Sequence, residues 1–268
     1  MIENKKEFKL ISKKTPKSLL PNALTIFGVC LGLSSIKFAL DQNYGMAIIA
    51  IGFAAILDTL DGRVARLIRG TSKVGKELDS LTDVISFGVA PSFIMYFWAL
   101  NEIGKFGWMF ALIYTVCCAL RLARFNLTTI EENESWKINF FEGVPSPAAA
   151  GLVLLPLILS LSGIYKFENY ALLSSVLILT VSVLMVSKIP TYSLKRIIIP
   201  RNLAVFLLLG IGIYVSLLIF YTFQTLFFSG LIYLALIPAS FFHYRRKNKK
   251  LIHVKKEEEE EEEDEDVL

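Results

Sequence analysis

The chain has 268 residues, of which 54% are hydrophobic, and its formal net charge at pH 7 is +4. The apolar residues come in blocks of about 20, the length of a helix that crosses a bilayer. This composition excludes a soluble globular protein, and no polar stretch between the blocks is long enough to form a separate soluble domain.

The N-terminal end is basic, with six lysines in residues 1–18. It has no short apolar core followed by a small-residue cleavage site, so we expect no removable signal peptide. Because lysines next to a membrane span stay on the cytoplasmic side, we interpret residues 1–18 as a basic cytoplasmic segment.

Eight apolar blocks follow, each of spanning or near-spanning length. They cover 19–40, 44–68, 79–99, 106–125, 147–164, 170–187, 202–222 and 224–243. Lys and Arg concentrate in alternate connections and at both ends, which the positive-inside rule assigns to the cytoplasm. The sequence therefore predicts an all-α polytopic membrane helical bundle of about eight transmembrane helices over 19–243, with both termini cytoplasmic.

The C-terminal end, residues 244–268, is a charged tail. A basic stretch over 245–256 suits an anionic membrane surface, and the ten residues of 257–266 are all acidic. Because this acidic run repels itself and buries no apolar area, we expect the tail to be disordered.

Cysteine and histidine offer little chemistry. Cys30, Cys117 and Cys118 fall in apolar blocks, where packing is the simplest interpretation. His243 and His253 lie at or beyond the end of the last block. Chemistry inside the membrane must therefore use carboxylates.

Four aspartates lie within the apolar blocks, where each charge costs at least about 2.5–3.5 kcal/mol near the bilayer centre. Asp58 and Asp61 end the second block, and Asp79 and Asp83 open the third. Helix positions three apart differ by about 60° and those four apart by about 40°, so each pair shares one face. Since the blocks are consecutive, the two pairs should face one another near the cytoplasmic surface.

Four like charges in one site need protonation or cations for relief. Oxygen ligands favour hard ions such as Mg²⁺ or Mn²⁺, and a two-metal carboxylate site is well suited to phosphoryl transfer. One alternative is that these aspartates pair with Arg63, Arg66 and Arg69 at a helix end. Another is a cation transporter, which would distribute acids through the membrane depth.

This region reads Asp58-x2-Asp61-Gly62-x2-Ala65-Arg66-x8-Gly75-x3-Asp79-x3-Asp83. The pattern resembles the signature of the CDP-alcohol phosphotransferase family, without a departure at any fixed position. The resemblance implies two divalent cations, Mg²⁺ or Mn²⁺, held by all four aspartates. It also implies that Asp83 is the general base, and it places the family core over 19–187.

The same resemblance suggests which residues contact the CDP-linked lipid. They are Pro21, Asn22 and Thr25 in the first block, and Gly62, Ala65, Arg66 and Gly75 around the aspartates. On its own, the segment over 20–25 reads only as a helix N-terminus with a proline near its start.

Three further segments resemble the phosphatidylserine synthase branch of the family: 118–126, 140–151 and 86–91. The first holds the candidate acceptor-binding residues Arg121, Arg124 and Asn126. Paired arginines bind carboxylates well, but they would also suit a phosphate or simply anchor the helix at the membrane surface.

This branch implies an enzyme that transfers the phosphatidyl group of CDP-diacylglycerol to L-serine, giving phosphatidylserine and CMP. It also implies an integral protein of a prokaryotic inner or plasma membrane, and a homodimer. Within the family, glycerol-3-phosphate or myo-inositol remains open as the acceptor. A third alternative is a catalytically inactive membrane adaptor, which would be expected to lack at least one of the four aspartates.

Overall fold

A computed structural model describes residues 19–68, 73–127, 140–192 and 201–265. They are almost entirely helical, with one short two-stranded ribbon. The chain forms two compact units, residues 1–94 (unit 1) and 95–268 (unit 2), and the boundary falls within a helix. The predicted N-terminal segment, 1–18, lies outside the described residues, and so do 266–268.

Unit 1 begins with two long helices, α1 (Leu19–Leu40) and α2 (Tyr44–Leu67), which pack along one another. Asn43 lies before α2, and its side chain accepts a hydrogen bond from the Met46 N–H at 3.3 Å. This N-cap satisfies one of the backbone donors left open at a helix start. The short connection between the two helices therefore lets α2 run back along α1.

The third span changes its helical geometry just after Asp83. It runs as α3 (Lys73–Asp83), continues as a π-helix (Val84–Val89) and ends as α4 (Ala90–Trp98). A π segment admits an extra residue per turn, and such segments occur frequently at functional sites. The aspartates of α3 therefore lie immediately before a local change in helix winding.

A row of small residues on α1 permits close packing within unit 1. A Cβ atom added to Gly32 would lie 2.5 Å from Ser86 Oγ and 3.0 Å from Ser86 Cα, so the π-helix approaches the α1 backbone directly. The Ser86 hydroxyl also donates to the Gly28 carbonyl at 3.3 Å. The Gly28-x3-Gly32 spacing is a known signal for close helix pairs in membranes, and here it serves packing within one chain.

In unit 2, α5 (Lys105–Leu127) packs against α8 (Tyr170–Val186). Between them, the predicted block over 147–164 is divided into α6 (Ser146–Val153) and α7 (Leu155–Ser162). Pro156 is the physical reason for the division, because it has no N–H to donate to the Leu152 carbonyl.

A two-stranded antiparallel ribbon also belongs to unit 2. It pairs β1 (Phe140–Glu142) with β2 (Pro190–Tyr192), so that Glu142 lies opposite Pro190. The prediction of an all-α protein is confirmed, with this ribbon as a small addition.

Six helical segments among the described residues are long and apolar enough to span a membrane. They are Leu20–Leu40, Tyr44–Leu67, Val74–Trp98, Lys105–Leu127, Leu203–Phe220 and Thr222–Arg245. The two other predicted blocks correspond to α6 with α7, and to the 17-residue α8. The chain is an integral membrane protein with several spans, and the number eight stays a prediction.

The last two helices are α9 (Arg201–Phe220) and α10 (Thr222–Glu265). The sequence predicts a disordered tail from residue 244, but α10 continues as one helix through Glu265. The disorder of the tail in solution stays a prediction. Lys, Arg and Glu are good helix formers, and a helix that extends from a membrane span has no separate nucleation cost.

Candidate metal centre and active site

Three of the four predicted aspartates meet in unit 1. Asp58 and Asp61 come from consecutive turns of α2, and Asp79 comes from α3. Each provides a carboxylate oxygen, and these oxygens all lie within 4.8 Å of one another. Three oxygen donors at this spacing fit a hard divalent cation such as Mg²⁺ or Mn²⁺.

Asp83 lies one helical turn beyond Asp79 on α3, beside the Asp58 carboxyl group. This places it next to the three clustered carboxylates. Its roles toward the cations and the acceptor stay predictions.

The described arginines next to the cluster do not form ion pairs with it. In the described part of the chain, neither Arg63 nor Arg66 forms an ion pair with Asp58, Asp61 or Asp79. Arg69, the third candidate partner, lies outside the described residues. The interpretation of these aspartates as ordinary helix-end ion pairs therefore receives no support from the described arginines.

Thr25 on α1 contacts the cluster directly. Its hydroxyl oxygen lies 2.7 Å from Asp61 Oδ2 and 3.0 Å from the Pro21 carbonyl oxygen. Thr25 and Asp61 are both almost fully buried, with 5% and 4% of their surface exposed. Sequence reasoning assigned Thr25 only to the CDP-linked lipid and missed its contact with Asp61, 36 positions away.

The other candidate lipid-contact residues differ in exposure. Gly62 and Arg66 are exposed, whereas Asn22, Ala65 and Gly75 are partly exposed. A Cβ atom on Gly62 would meet no atom within 4 Å, so packing within the protein does not require glycine there. Contact between these residues and a CDP-linked lipid stays a prediction.

Arg121 in unit 2 is a buried cation. Only 8% of its surface is exposed, and its Nη1 donates a hydrogen bond of 2.9 Å to the hydroxyl of Ser146 at the start of α6. Asn126 lies near the end of the same helix and is partly exposed. A buried guanidinium is well suited to bind an anionic group, and the binding of the acceptor by Arg121 stays a prediction.

Arg124 contacts the backbone instead. Its Nη1 donates to the Val186 carbonyl at 2.9 Å, its Nη2 donates to the Ser187 carbonyl at 3.4 Å, and Glu142 Oε2 lies 3.8 Å from Nη2. Helix C-termini leave carbonyl oxygens unpaired and carry partial negative charge, so Arg124 caps the C-terminal end of α8. The two arginines, predicted as a pair, bind different groups.

Gly143 was not singled out from the sequence. Its φ is +73°, and a Cβ atom there would lie 2.7 Å from the Met185 carbonyl oxygen and 2.9 Å from that of Ser187. The Thr191 hydroxyl donates to the Gly143 carbonyl at 2.8 Å. Only glycine tolerates this conformation and approach, so it fixes the turn between β1 and α6 that carries Ser146.

The chain matches the sequence profile described as CDP-alcohol phosphatidyltransferase over residues 18–187, more than half of its length. The chain belongs to this family. A second profile, CDP-alcohol phosphatidyltransferase 2, matches residues 202–238 on α9 and α10.

Several members of the family with similar sequences carry the name CDP-diacylglycerol–serine O-phosphatidyltransferase. The Mycobacterium leprae protein is 34% identical over 228 residues, which cover 85% of this chain and 76% of the relative. The Helicobacter pylori protein of strain 26695 is 42% identical over 193 residues, which cover 72% of this chain and 79% of the relative. The Bacillus subtilis protein is 36% identical over 177 residues, which cover 66% of this chain and 92% of the relative.

Proposed function

We propose that this CDP-alcohol phosphatidyltransferase transfers the phosphatidyl group of CDP-diacylglycerol to the hydroxyl of L-serine, giving phosphatidylserine and CMP. The observation that carries the proposal is the cluster of Asp58, Asp61 and Asp79, whose carboxylate oxygens lie within 4.8 Å of one another. The choice of serine is supported by the names of the similar proteins.

We infer that the four aspartates hold two divalent cations, Mg²⁺ or Mn²⁺. When bound, such ions clamp a diphosphate and stabilise the charge that develops on the leaving phosphate oxygen. Asp58, Asp61 and Asp79 would hold the ions, with Asp83 as a further ligand beside Asp58. All these ligands are oxygens, which disfavours zinc.

In the proposed reaction, Asp83 accepts the proton of the serine hydroxyl. The serine oxygen attacks the phosphorus attached to the diacylglycerol, and the bond from this phosphorus to the bridging oxygen breaks. CMP leaves with the electron pair of that bond, and phosphatidylserine stays in the membrane. An aspartate suits this base role when its carboxylate is fixed within reach of the hydroxyl.

Arg121 is the better of the two arginines for recognising the serine carboxylate, because its guanidinium is buried and its Nη1 donates to a neutral hydroxyl. Charge-assisted hydrogen bonds to a carboxylate are about twice as strong as neutral ones. Arg124 and Asn126 remain candidates for a weaker contribution. The cytoplasmic side of the active site, the cytoplasmic termini and the homodimer stay predictions.

The experiment is an acceptor assay on detergent-purified protein given CDP-diacylglycerol and Mg²⁺ or Mn²⁺. Serine, glycerol-3-phosphate and myo-inositol are supplied separately, and both CMP and the lipid product are identified by mass spectrometry. We expect phosphatidylserine and CMP with serine alone. A product with another acceptor would overturn the specificity, and no product with any acceptor, in folded protein, would favour a cation transporter.

A further inference from the structure

Thr25 stands out because it brings α1, a helix without a candidate metal ligand, into contact with the aspartate cluster. Its hydroxyl has a single proton and two acceptors within reach, Asp61 Oδ2 at 2.7 Å and the Pro21 carbonyl at 3.0 Å. An ionised carboxylate is the stronger acceptor and forms the shorter bond. The hydroxyl therefore donates to Asp61 whenever this carboxylate is charged, and it has the α1 carbonyl as an alternative.

The bond constrains how Asp61 presents its oxygens. A carboxylate has about four lone-pair positions, and Thr25 occupies one of those on Oδ2. This buried donor restrains the rotation of the carboxylate and leaves the remaining lone pairs, including those on Oδ1, for a cation.

The position of Thr25 is itself well fixed. α1 packs against α2 and α3, and the close approach of Gly32 to Ser86 prevents α1 from sliding along the π-helix. Since Thr25 is 5% exposed and Asp61 is 4% exposed, water has little access to replace the bond between them.

We propose that Thr25 is a positioning residue that orients Asp61 for cation binding, an inference that rests on the proposed role of the aspartate cluster. Residues that hydrogen-bond to metal ligands fix the orientation of those ligands, and their loss typically lowers metal affinity or activity by about 10–100-fold. Thr25 acts through Asp61, and α1 thereby contributes to the cation site without providing a ligand.

The test measures Mn²⁺ binding by full-length, detergent-purified protein without substrates, from the loss of the free-ion signal in electron paramagnetic resonance. Thr25→Ala and Thr25→Ser form the central pair, because they differ only by the hydroxyl oxygen. Thr25→Val preserves the side-chain shape. Ser35→Ala is the matched control, since it removes another buried α1 hydroxyl that donates to a backbone carbonyl, that of Gly32 at 2.6 Å.

We expect Thr25→Ala and Thr25→Val to weaken Mn²⁺ binding by about 10-fold or more, and Thr25→Ser to remain within about 3-fold of the natural protein. Ser35→Ala should bind as the natural protein does. The Mg²⁺ concentration needed for half-maximal CMP release should rise in parallel, with the KM for serine unchanged.

Equal Mn²⁺ affinity in Thr25→Ala and Thr25→Ser would overturn the inference. If that equality came with a raised KM for CDP-diacylglycerol in Thr25→Ala, Thr25 would be a lipid contact only. Absence of Mn²⁺ binding by the natural protein itself would overturn the cation site and the inference together. The measurement thus separates failure of Thr25 from failure of the site.

Discussion

The aspartate cluster of unit 1 and the arginine pair of unit 2 accommodate charge in opposite ways. Asp58, Asp61 and Asp79 bring like charges together, and no described arginine pairs with them. Arg121 and Arg124 instead lie one helical turn apart and donate to separate groups, Arg121 to a buried hydroxyl and Arg124 to the end of α8, where Glu142 is 3.8 Å from it. A cluster of like charges without a described counter-ion is what a cation site requires, whereas an arginine at a helix end is explained by the carbonyl groups that it contacts.

The largest expected effect follows from removing a clustered carboxylate. Asp61→Ala should weaken Mn²⁺ binding and lower CMP release by more than about 100-fold, because loss of a direct ligand should exceed the effect of an outer partner. Asp41→Ala is the control, since Asp41 lies outside the cluster and pairs with Lys37. Activity of Asp61→Ala within a few-fold of the natural protein would contradict the assignment of Asp61 as a ligand.

Asp83→Asn should separate cation binding from catalysis. We expect CMP release to fall by about 10²–10⁴-fold, the usual contribution of a general base, while Mn²⁺ affinity changes only a few-fold because three carboxylates remain. Parallel kinetics and Mn²⁺ titrations measure both. Full activity in this variant would contradict the assignment of Asp83 as the general base.

A smaller and more selective effect is expected in unit 2. Arg121→Lys should raise the KM for serine by about 10-fold or more without changing that for CDP-diacylglycerol, because lysine lacks the planar fork that binds a carboxylate. Arg124→Lys is the matched variant and should change the KM for serine by less than about 3-fold, since lysine can still donate to the α8 carbonyls. An equal change in the KM for serine in the two variants would contradict the separate roles and would mean that both arginines contribute alike.

The smallest effect is expected at the C-terminal end. Deleting residues 257–266 should leave serine-dependent CMP release within about 2-fold, because a run of like charges is typically a solvated surface. The comparison is made at equal amounts of folded protein, judged by size-exclusion chromatography. A large loss of CMP release would show that the acidic run takes part in the enzyme.

Much of the site in unit 1 could be predicted because charged side chains lie within segments that are otherwise apolar. Carboxylates inside apolar blocks are costly, so the pattern from Asp58 to Asp83 is enough to indicate both a site and its family. The convergence of Asp58, Asp61 and Asp79 agrees with this prediction. The π-helix after Asp83 was not predicted, because apolar periodicity does not distinguish it from an α-helix.

Hydrogen bonds between distant residues could not be predicted from spacing. Thr25 and Asp61 are 36 positions apart, and Arg124 is 62 positions from its acceptor at Val186. Helical spacing correctly placed Arg121 and Arg124 one turn apart, but their partners depend on how other elements pack against α5. The Gly28-x3-Gly32 spacing was the available signal for the close packing of α1, and it was overlooked.

The proposed function requires the aspartate cluster to support a cation-dependent transfer to serine. The most direct test is serine-dependent CMP release by purified protein, before and after removal of divalent ions with a chelator and again after adding Mg²⁺ or Mn²⁺. We expect complete loss on chelation and recovery with either ion, and no serine-dependent CMP release by Asp79→Asn under any of these conditions. Serine-dependent CMP release that persists in the chelated protein would contradict it.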